Sequence, residues 1–370
     1  MFIESLQALN FRNLQRCAIE LGERTVVIEG PNGHGKTNLL EALYLCATGK
    51  SFRAAKPGQM LGHGCTAGWV KARLRRQGVR HEVEVVLGAR SRGMRVDGRA
   101  VRRISALLDL VNVVAFFPDD LRIVKGSPEE RRQFLDRSVA NHRRGFVDAS
   151  LAYGKALKSR NALLRGERVD RGLVEVYDAQ LIEHGRVLTS ARVETLAALA
   201  SAAERYFGRV MGEGRPQERG EEGRLGLRVI SGVPDDGDDD AFAAALRASF
   251  PRDRSRGFTT LGPHRADLDV SLDGQSARVF ASQGQQRAII LALKMAEVES
   301  LARRLQSPPI LLLDDVSSEL DAQRTRLLFE EIDTLACQVW VSTTGAAPLP
   351  VAADSQRWRI QDGLLTAISS

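Results

Sequence analysis

The chain has 370 residues and 43% hydrophobic content, enough for a real core and for either two domains or one large domain with an inserted lobe. Lys and Arg number 53 against 46 Asp and Glu; the net charge of +7 suits an anionic partner, and it suits an ordinary basic soluble protein equally well. Cys17, Cys46, Cys65 and Cys337 form no C-x-x-C pair, the six histidines lack metal-ligand spacing, and no apolar run reaches the ~18 residues of a membrane span, which argues against a disulfide frame, a zinc site and a membrane protein and for a cytoplasmic setting.

Thr25 to Glu29 (TVVIE) is a β-branched run that predicts a buried strand. Gly30, Pro31, Asn32, Gly33, His34, Gly35, Lys36 and Thr37 follow with the spacing G-x-x-x-x-G-K-T, and Asn38 to Ala47 reads as a helix. Strand, glycine-rich loop and helix stand in the order that a phosphate-binding loop requires. The glycines let backbone N–H groups cradle phosphates, and the helix N-terminus adds its positive end. Lys36 is expected to reach the β- and γ-phosphates of ATP, and the Thr37 hydroxyl to ligate Mg²⁺.

Val70 to Leu74 and Val83 to Leu87 predict antiparallel strands, and Asp97-Gly98 marks a hairpin turn. Between Lys71 and Arg103 lie Lys71, Arg73, Arg75, Arg76, Arg80, Arg90, Arg92, Arg95, Arg99, Arg102 and Arg103, with few acids to offset them. Arg73 and Arg75 would share one strand face. The group reads either as a solvated charged face or as a surface for nucleic-acid phosphates, and the second is preferred for the set. A second cationic cluster is Arg131, Arg132, Arg137, Arg143 and Arg144. Aromatic content of 5% disfavours base stacking on single strands.

Ser127-Pro128-Glu129-Glu130 predicts a helix start, and the pattern stays helical to about Phe207 with a break near Gly166 to Asp170. Helical arms of ~25 residues would span only about 40 Å. Pro234 to Asp240 (PDDGDDD) reads as a solvent loop.

Ser282-Gln283-Gly284-Gln285-Gln286 opens a helix, as a Ser cap with polar neighbours or as a phosphate-contacting N-terminus. Ile310 to Leu313 predicts a buried strand that delivers Asp314 and Asp315 at its C-terminal edge. Asp314 would hold Mg²⁺ through water, and Asp315 would polarise the attacking water; the alternative is a pair that caps a helix.

The order of these motifs resembles that of the ATP-binding-cassette (ABC) ATPases, with Ser282 to Gln286 similar to their signature motif and Ser318-Glu319-Leu320-Asp321 to their D-loop. The resemblance implies that Ser282, Gln283, Gly284 and Gln285 close onto the γ-phosphate bound by a second subunit. Phe116 to Asp136 (FFPDDLRIVKGSPEERRQFLD) and Leu261 to Leu268 (LGPHRADL) resemble segments of the RecF family, as do Leu9 to Leu14 (LNFRNL) and Gly49 to Arg53 (GKSFR). The chain departs from a general cassette in three ways. No Q-loop glutamine is clear, and Phe117 to Asp120 stands in that region. Asp315 replaces the usual Glu. Ser342-Thr343-Thr344 follows Val339-Trp340-Val341 where many cassettes offer a histidine. His264 and Arg265 read equally as packing residues and as nucleotide or partner contacts.

The expected fold is therefore α/β: an ABC-type P-loop ATPase head, residues 1–126 and 258–370, with an antiparallel β subregion and an inserted, mainly helical lobe, residues 127–257. The resemblance implies ATP-dependent homodimerisation on duplex DNA or single-strand/double-strand junctions, weak DNA-stimulated ATP hydrolysis, a role in recombinational repair and recombinase loading, and RecR and RecO as partners. The rivals are a transporter ATPase subunit and an ATP-switched DNA-binding module with negligible turnover.

Overall fold

The computed structural model describes residues 1–22, 25–54, 56–212, 223–234, 238–305, 307–316, 320–345, 349–352 and 354–368. The chain divides into two compact units, Met1–Asp120 with Lys294–Ser370, and Leu121–Leu293.

The first unit begins with a hairpin, β1 (Phe2–Phe11) and β2 (Leu14–Glu20). β3 (Val26–Glu29) leads through the Gly30–Thr37 loop into α1 (Lys36–Thr48). Leu39, Leu40, Leu43 and Leu45 are all buried, so α1 is enclosed on several faces, and Gly49 ends it in the left-handed region, its N–H reaching Leu45 O. Then come β4 (Ala67–Arg76), β5 (Val79–Gly88), β6 (Arg92–Val96), β7 (Arg99–Ala100), α2 (Ile104–Leu110) and β8 (Val113–Phe116). β1, β2 and β4 to β7 form an antiparallel sheet in the order β2-β1-β4-β5-β6-β7. Val70, Ala72 and Leu74 of β4 point into the core, so the alternating Lys71, Arg73 and Arg75 line the other face.

The second unit is built on α3 (Arg122–Lys125), α4 (Pro128–His142), α5 (Phe146–Arg165) and α6 (Arg171–Val210). Ser127 and Glu130 form a reciprocal capping box at α4, as the sequence pattern anticipated. The chain breaks between Arg165 and Arg171, where Asp170 caps α6. α6 has 40 residues and runs about 60 Å, longer than the expected arms, because its pattern continues unbroken through Ala197 to Val210. β9 (Leu225–Ile230) and α7 (Asp239–Arg256) follow. Within PDDGDDD, residues 235–237 lie outside the described residues, and Asp238 caps α7 instead of remaining in a loop. β10 (Asp267–Leu272), β11 (Gln275–Ser276), α8 (Ala277–Phe280) and the start of α9 (Gln283–Leu305) complete the unit. The expected junctions at 126/127 and 257/258 differ from the observed 120/121 and 293/294. The cause at the second junction is the register of β10 with β9, six antiparallel pairs from Asp267↔Ile230 to Leu272↔Leu225, which ties Asp267–Leu272 to the inserted segment.

The core of this unit holds a buried ionic cluster. Arg160 is fully buried and donates to Asp178 at 2.5 Å and to Asp253 and Thr259 at 2.9 Å each.

The returning chain supplies β12 (Ile310–Leu313), α10 (Ala322–Leu335), β13 (Val339–Thr343), β14 (Gln356–Gln361) and β15 (Leu364–Ile368). They assemble with β3 and β8 in the order β15-β14-β3-β13-β12-β8, parallel except for β15. All four residues of β12 are buried, the unbroken apolar run of a strand covered on both faces. β13 therefore lies between the strand that feeds the glycine-rich loop and the strand that ends at Asp314.

Candidate nucleotide site

The loop after β3 is held open by its glycines. Gly35 has φ 118°, and a Cβ there would meet Asn13 Oδ1 at 2.8 Å and Ile360 Cδ1 at 2.9 Å. Gly33 has φ 83°, and a Cβ there would meet nothing within 4 Å, so its backbone borders open space. Lys36 is 5% exposed; its Nζ donates to Gly30 O at 2.7 Å, Pro31 O at 3.0 Å and Asn32 Oδ1 at 3.2 Å. Burial pushes its pKa down, against the charges of Asp315 and Asp314. His34 ties the loop to the β14–β15 turn, its Nδ1 accepting from Asp362 N at 3.1 Å.

Two of the family-like segments buttress α1. Arg12 grips the fully buried Glu41 bidentately at 3.0 and 2.7 Å, and Ser51 donates to the same carboxylate. Asn38 donates to Asn13 at 2.8 Å and accepts from Arg53 at 3.0 Å.

Across β13, the Thr37 hydroxyl lies 3.0 and 2.9 Å from the two oxygens of Asp314. Ser342 Oγ donates to Asp314 Oδ1 at 2.7 Å and accepts from Asp315 N at 2.9 Å. Burial pushes the Asp314 pKa up, hydrogen bonds from Ser342 and Thr37 oppose this, and the Asp315 charge adds to it. The adjacent Thr37 hydroxyl and Asp314 carboxylate are the hard oxygen donors that Mg²⁺ takes, and no cluster of three His, Cys, Asp or Glu exists among the described residues to compete as a cage for another metal. The structure thus brings Lys36, Thr37, Asp314 and Asp315 together, and adds Ser342, which the sequence showed only as part of a run standing where many cassettes offer a histidine.

Ser282 belongs to the second unit. It caps α9: its Oγ accepts from Gln285 N at 3.2 Å, and Gln285 Oε1 accepts from Ser282 N at 2.8 Å. Gln286 folds back onto Ala281 O at 2.6 Å. Gln283 is exposed and Gly284 half-buried at the first turn, so cap formation leaves the helix end open to an anion. Of the D-loop residues, Ser318 and Glu319 lie outside the described residues, while Asp321 caps α10 by accepting from Arg324 N. In the region expected for a Q-loop, Asp120 accepts from Phe117 N at 2.8 Å and pairs with the buried Lys294 of α9 at 3.3 Å.

The basic segment is less free than its composition suggests. On the open face of the antiparallel sheet, Arg73 pairs with Glu82 at 3.1 Å, Arg75 with Glu4 at 2.7 Å, Arg80 with Glu4 at 3.0 Å, Lys71 with Glu82 at 3.2 Å and Arg95 with Glu84 at 3.2 Å. The expectation that few acids offset these cations is corrected: antiparallel pairing places Glu82 and Glu84 directly opposite Arg73 and Lys71. Arg90, Arg92, Arg102 and Arg103 remain exposed without ion-pair partners among the described residues. Arg92 opens β6 with Arg90 in the turn before it, and Arg102 and Arg103 follow β7, where Arg95 faces Ala100, Val96 faces Arg99, and Val101 N donates to Met94 O. The second cationic cluster is also engaged: Arg131 with Asp267, Arg132 with Ala266 O, and Arg143 with Glu194.

His264 is a packing residue of the second unit. Its Nδ1 lies 2.7 Å from the Tyr153 hydroxyl and its Nε2 3.1 Å from Thr259 O. A carbonyl only accepts, so Nε2 carries the proton and Nδ1 accepts from Tyr153. Burial holds its pKa down at about 4. Arg265 is exposed and covers the Phe258 ring at 5.1 Å.

The family described as RecF/RecN/SMC N terminal domain matches residues 2–361. The DNA replication and repair protein RecF of Myxococcus xanthus (strain DK1622) is 40% identical over 364 residues, 97% of this chain and 95% of that protein. That of Geobacter sp. (strain M21) is 37% identical over 368 residues, covering 98% and 99%. The solved structure of the recombination mediator RecF-ATP of the RecFOR pathway superposes with a TM-score of 0.89 at 27% identity, covering 100% of this chain and 98% of that one. An SMC head bound to ScpA shares the fold at a TM-score of 0.57 and 15% identity. With an ABC-type ATPase fold and relatives that match it from end to end, the chain belongs to the RecF family.

Proposed function

We propose that this chain is an ATP-dependent DNA-binding protein of recombinational repair, which closes as a homodimer on duplex DNA or single-strand/double-strand junctions and is released by hydrolysis. The observation that carries the reading is the convergence of Lys36, Thr37 and Asp314, three groups from two stretches of chain, with Thr37 and Asp314 277 residues apart in sequence. Lys36 would exchange the loop carbonyls for the β- and γ-phosphates of ATP. Thr37 and, through water, Asp314 would hold Mg²⁺, which when bound neutralises phosphate charge. Asp315 would orient the attacking water. Ser282, Gln283, Gly284 and Gln285 would meet the γ-phosphate held by a second copy. Arg90, Arg92, Arg102 and Arg103 would meet DNA phosphates without reading bases. RecR and RecO are the proposed protein partners, on the family's pattern.

A transporter role is not favoured, since the match to RecF proteins runs the length of the chain. No helix among the described residues is long and apolar enough to cross a membrane. The test is ATP turnover with and without duplex DNA. Weak turnover that DNA raises is expected. Lys36→Met should abolish it while the fold survives. A folded Lys36→Met protein with normal ATP binding and turnover contradicts the reading, and turnover indistinguishable from zero in the wild type favours the static ATP switch.

A further inference from the structure

Asp315 stands in a backbone conformation that its surroundings alone do not require. Its φ is 50°, in the left-handed region. Of the other non-glycine residues with positive φ, Gln77, Asp97, Asp273 and Asp362 each precede a glycine in a tight turn, where that conformation is the rule. Asp315 precedes Val316 and lies just past the C-terminal edge of β12. Such outliers persist where neighbouring contacts over-determine them, and they gather at functional sites.

One contact on this backbone is a buried hydroxyl. Ser342 is fully buried near the end of β13, and its Oγ accepts from Asp315 N at 2.9 Å while donating to Asp314 Oδ1 at 2.7 Å. A hydroxyl has one proton and two lone pairs, so it can do both at once. The parallel register puts Ser342 beside Ile28 of β3, with Val341 beside Leu313 of β12, and Thr343 O accepts from Gly30 N at 3.2 Å. The same strand thus touches the phosphate loop and both acidic residues. Thr37 meets the same carboxylate, at 3.0 Å from Oδ1 and 2.9 Å from Oδ2.

We propose that Ser342 is a positioning residue for ATP hydrolysis: its hydroxyl links the metal-holding carboxylate to the backbone of the base, and so fixes where the Asp315 side chain is presented. Both of its hydrogen bonds go to the two aspartates, and it acts through them. It needs a side chain that donates and accepts in a space closed to solvent. Alanine there would leave Asp315 N and Asp314 Oδ1 each one bond short, and valine would add bulk with no polar atom. Threonine keeps the hydroxyl on a β-branched frame that strands accept.

The proposal rests on the ATPase reading above, and the two fail separately. A Lys36→Met protein that still binds and hydrolyses ATP removes the ATPase reading. A silent Ser342→Ala beside a dead Lys36→Met removes only the role of Ser342. For Ser342→Ala, kcat is expected to fall about 10- to 100-fold, with KM and the affinity for a non-hydrolysable ATP analogue held within about twofold, the split expected when only transition-state geometry is lost. Ser342→Thr should recover most of kcat.

A second readout uses the protein without nucleotide. In a urea-unfolding cycle of Ser342→Ala and Asp315→Gly, the double variant should be less destabilised than the sum of the singles, because glycine adopts the left-handed conformation unaided. Three results would overturn the assignment: wild-type kcat in folded Ser342→Ala, a loss of nucleotide affinity equal to the loss of kcat, or Ser342→Thr no better than alanine. An additive unfolding cycle would overturn the clamp on the Asp315 backbone.

Discussion

Replacing Arg90, Arg92, Arg102 and Arg103 with glutamine should change the salt dependence of DNA binding far more than replacing Arg73 and Arg75. The first four have no ion-pair partner among the described residues, whereas Arg73 and Arg75 already face Glu82 and Glu4. Each phosphate neutralised contributes about −0.9 to the slope of log affinity against log salt. Four lost contacts would flatten that slope by up to about 3.6. Between 50 and 200 mM salt, the wild type should therefore lose up to about 150-fold more affinity than the quadruple variant. Glutamine at Arg73 and Arg75 should shift the slope by less than one contact's worth, about 0.9, because those charges are already compensated. The assay is fluorescence anisotropy of a labelled duplex across a salt series with ATP present, on variants checked for native circular dichroism. A quadruple variant with an unchanged slope, or a Arg73→Gln/Arg75→Gln protein that flattens it as much, would refute the assignment of the DNA edge.

Two further outcomes follow from the second unit. His264 stays neutral in the fold down to about pH 4, against an ordinary value of 6.5, because it is buried. Its folded pKa is depressed, so in that window the unfolded chain binds the proton that the fold refuses, and stability is lost as pH falls; the loss between pH 7 and 5 should be about 2 kcal/mol by urea unfolding. A His264→Gln protein with the same pH dependence as the wild type would contradict this. Arg160→Met leaves the fully buried Asp253 without its guanidinium and should cost about 3–5 kcal/mol by the same assay, and a cost under about 1 kcal/mol would show that the cluster is not coupled.

Much of the nucleotide site was legible because its parts are local. TVVIE and ILLL are short apolar runs of the kind that central parallel strands require, and the glycine spacing of the loop is fixed by backbone geometry. The neutralisation of Arg73 by Glu82 was also within reach, since Gln77-Gly78 is a two-residue turn whose register sets that pair. The pairing of Arg75 with Glu4 was not, because it depends on β1 lying beside β4. Ser342 was legible only as part of the Ser342-Thr343-Thr344 run that stands where many cassettes offer a histidine: serine and threonine adjoin at 342 and 343, and only the order β3-β13-β12 shows which hydroxyl meets the aspartates. The sheet of β9, β10 and β11 blurred the expected junction because β9 lies inside the expected insertion, while β10 and β11 lie beyond its expected end.

The central claim is that each ATP site is built from two chains, and mixing two damaged proteins tests it most directly. Lys36→Met removes the phosphate loop's half, and Ser282→Arg obstructs the helix N-terminus that supplies the other half. Each variant alone should be inactive. Mixed in equal amounts, about half of the dimers carry both kinds of chain, and each has one whole site, so about a quarter of all sites should recover turnover, the count expected for a two-fold dimer with shared sites. Sedimentation with ATP on the same mixture reports the mixed dimers. Recovered turnover near that level is the predicted result, and mixed dimers that sediment yet hydrolyse no more ATP than the separate variants would contradict it.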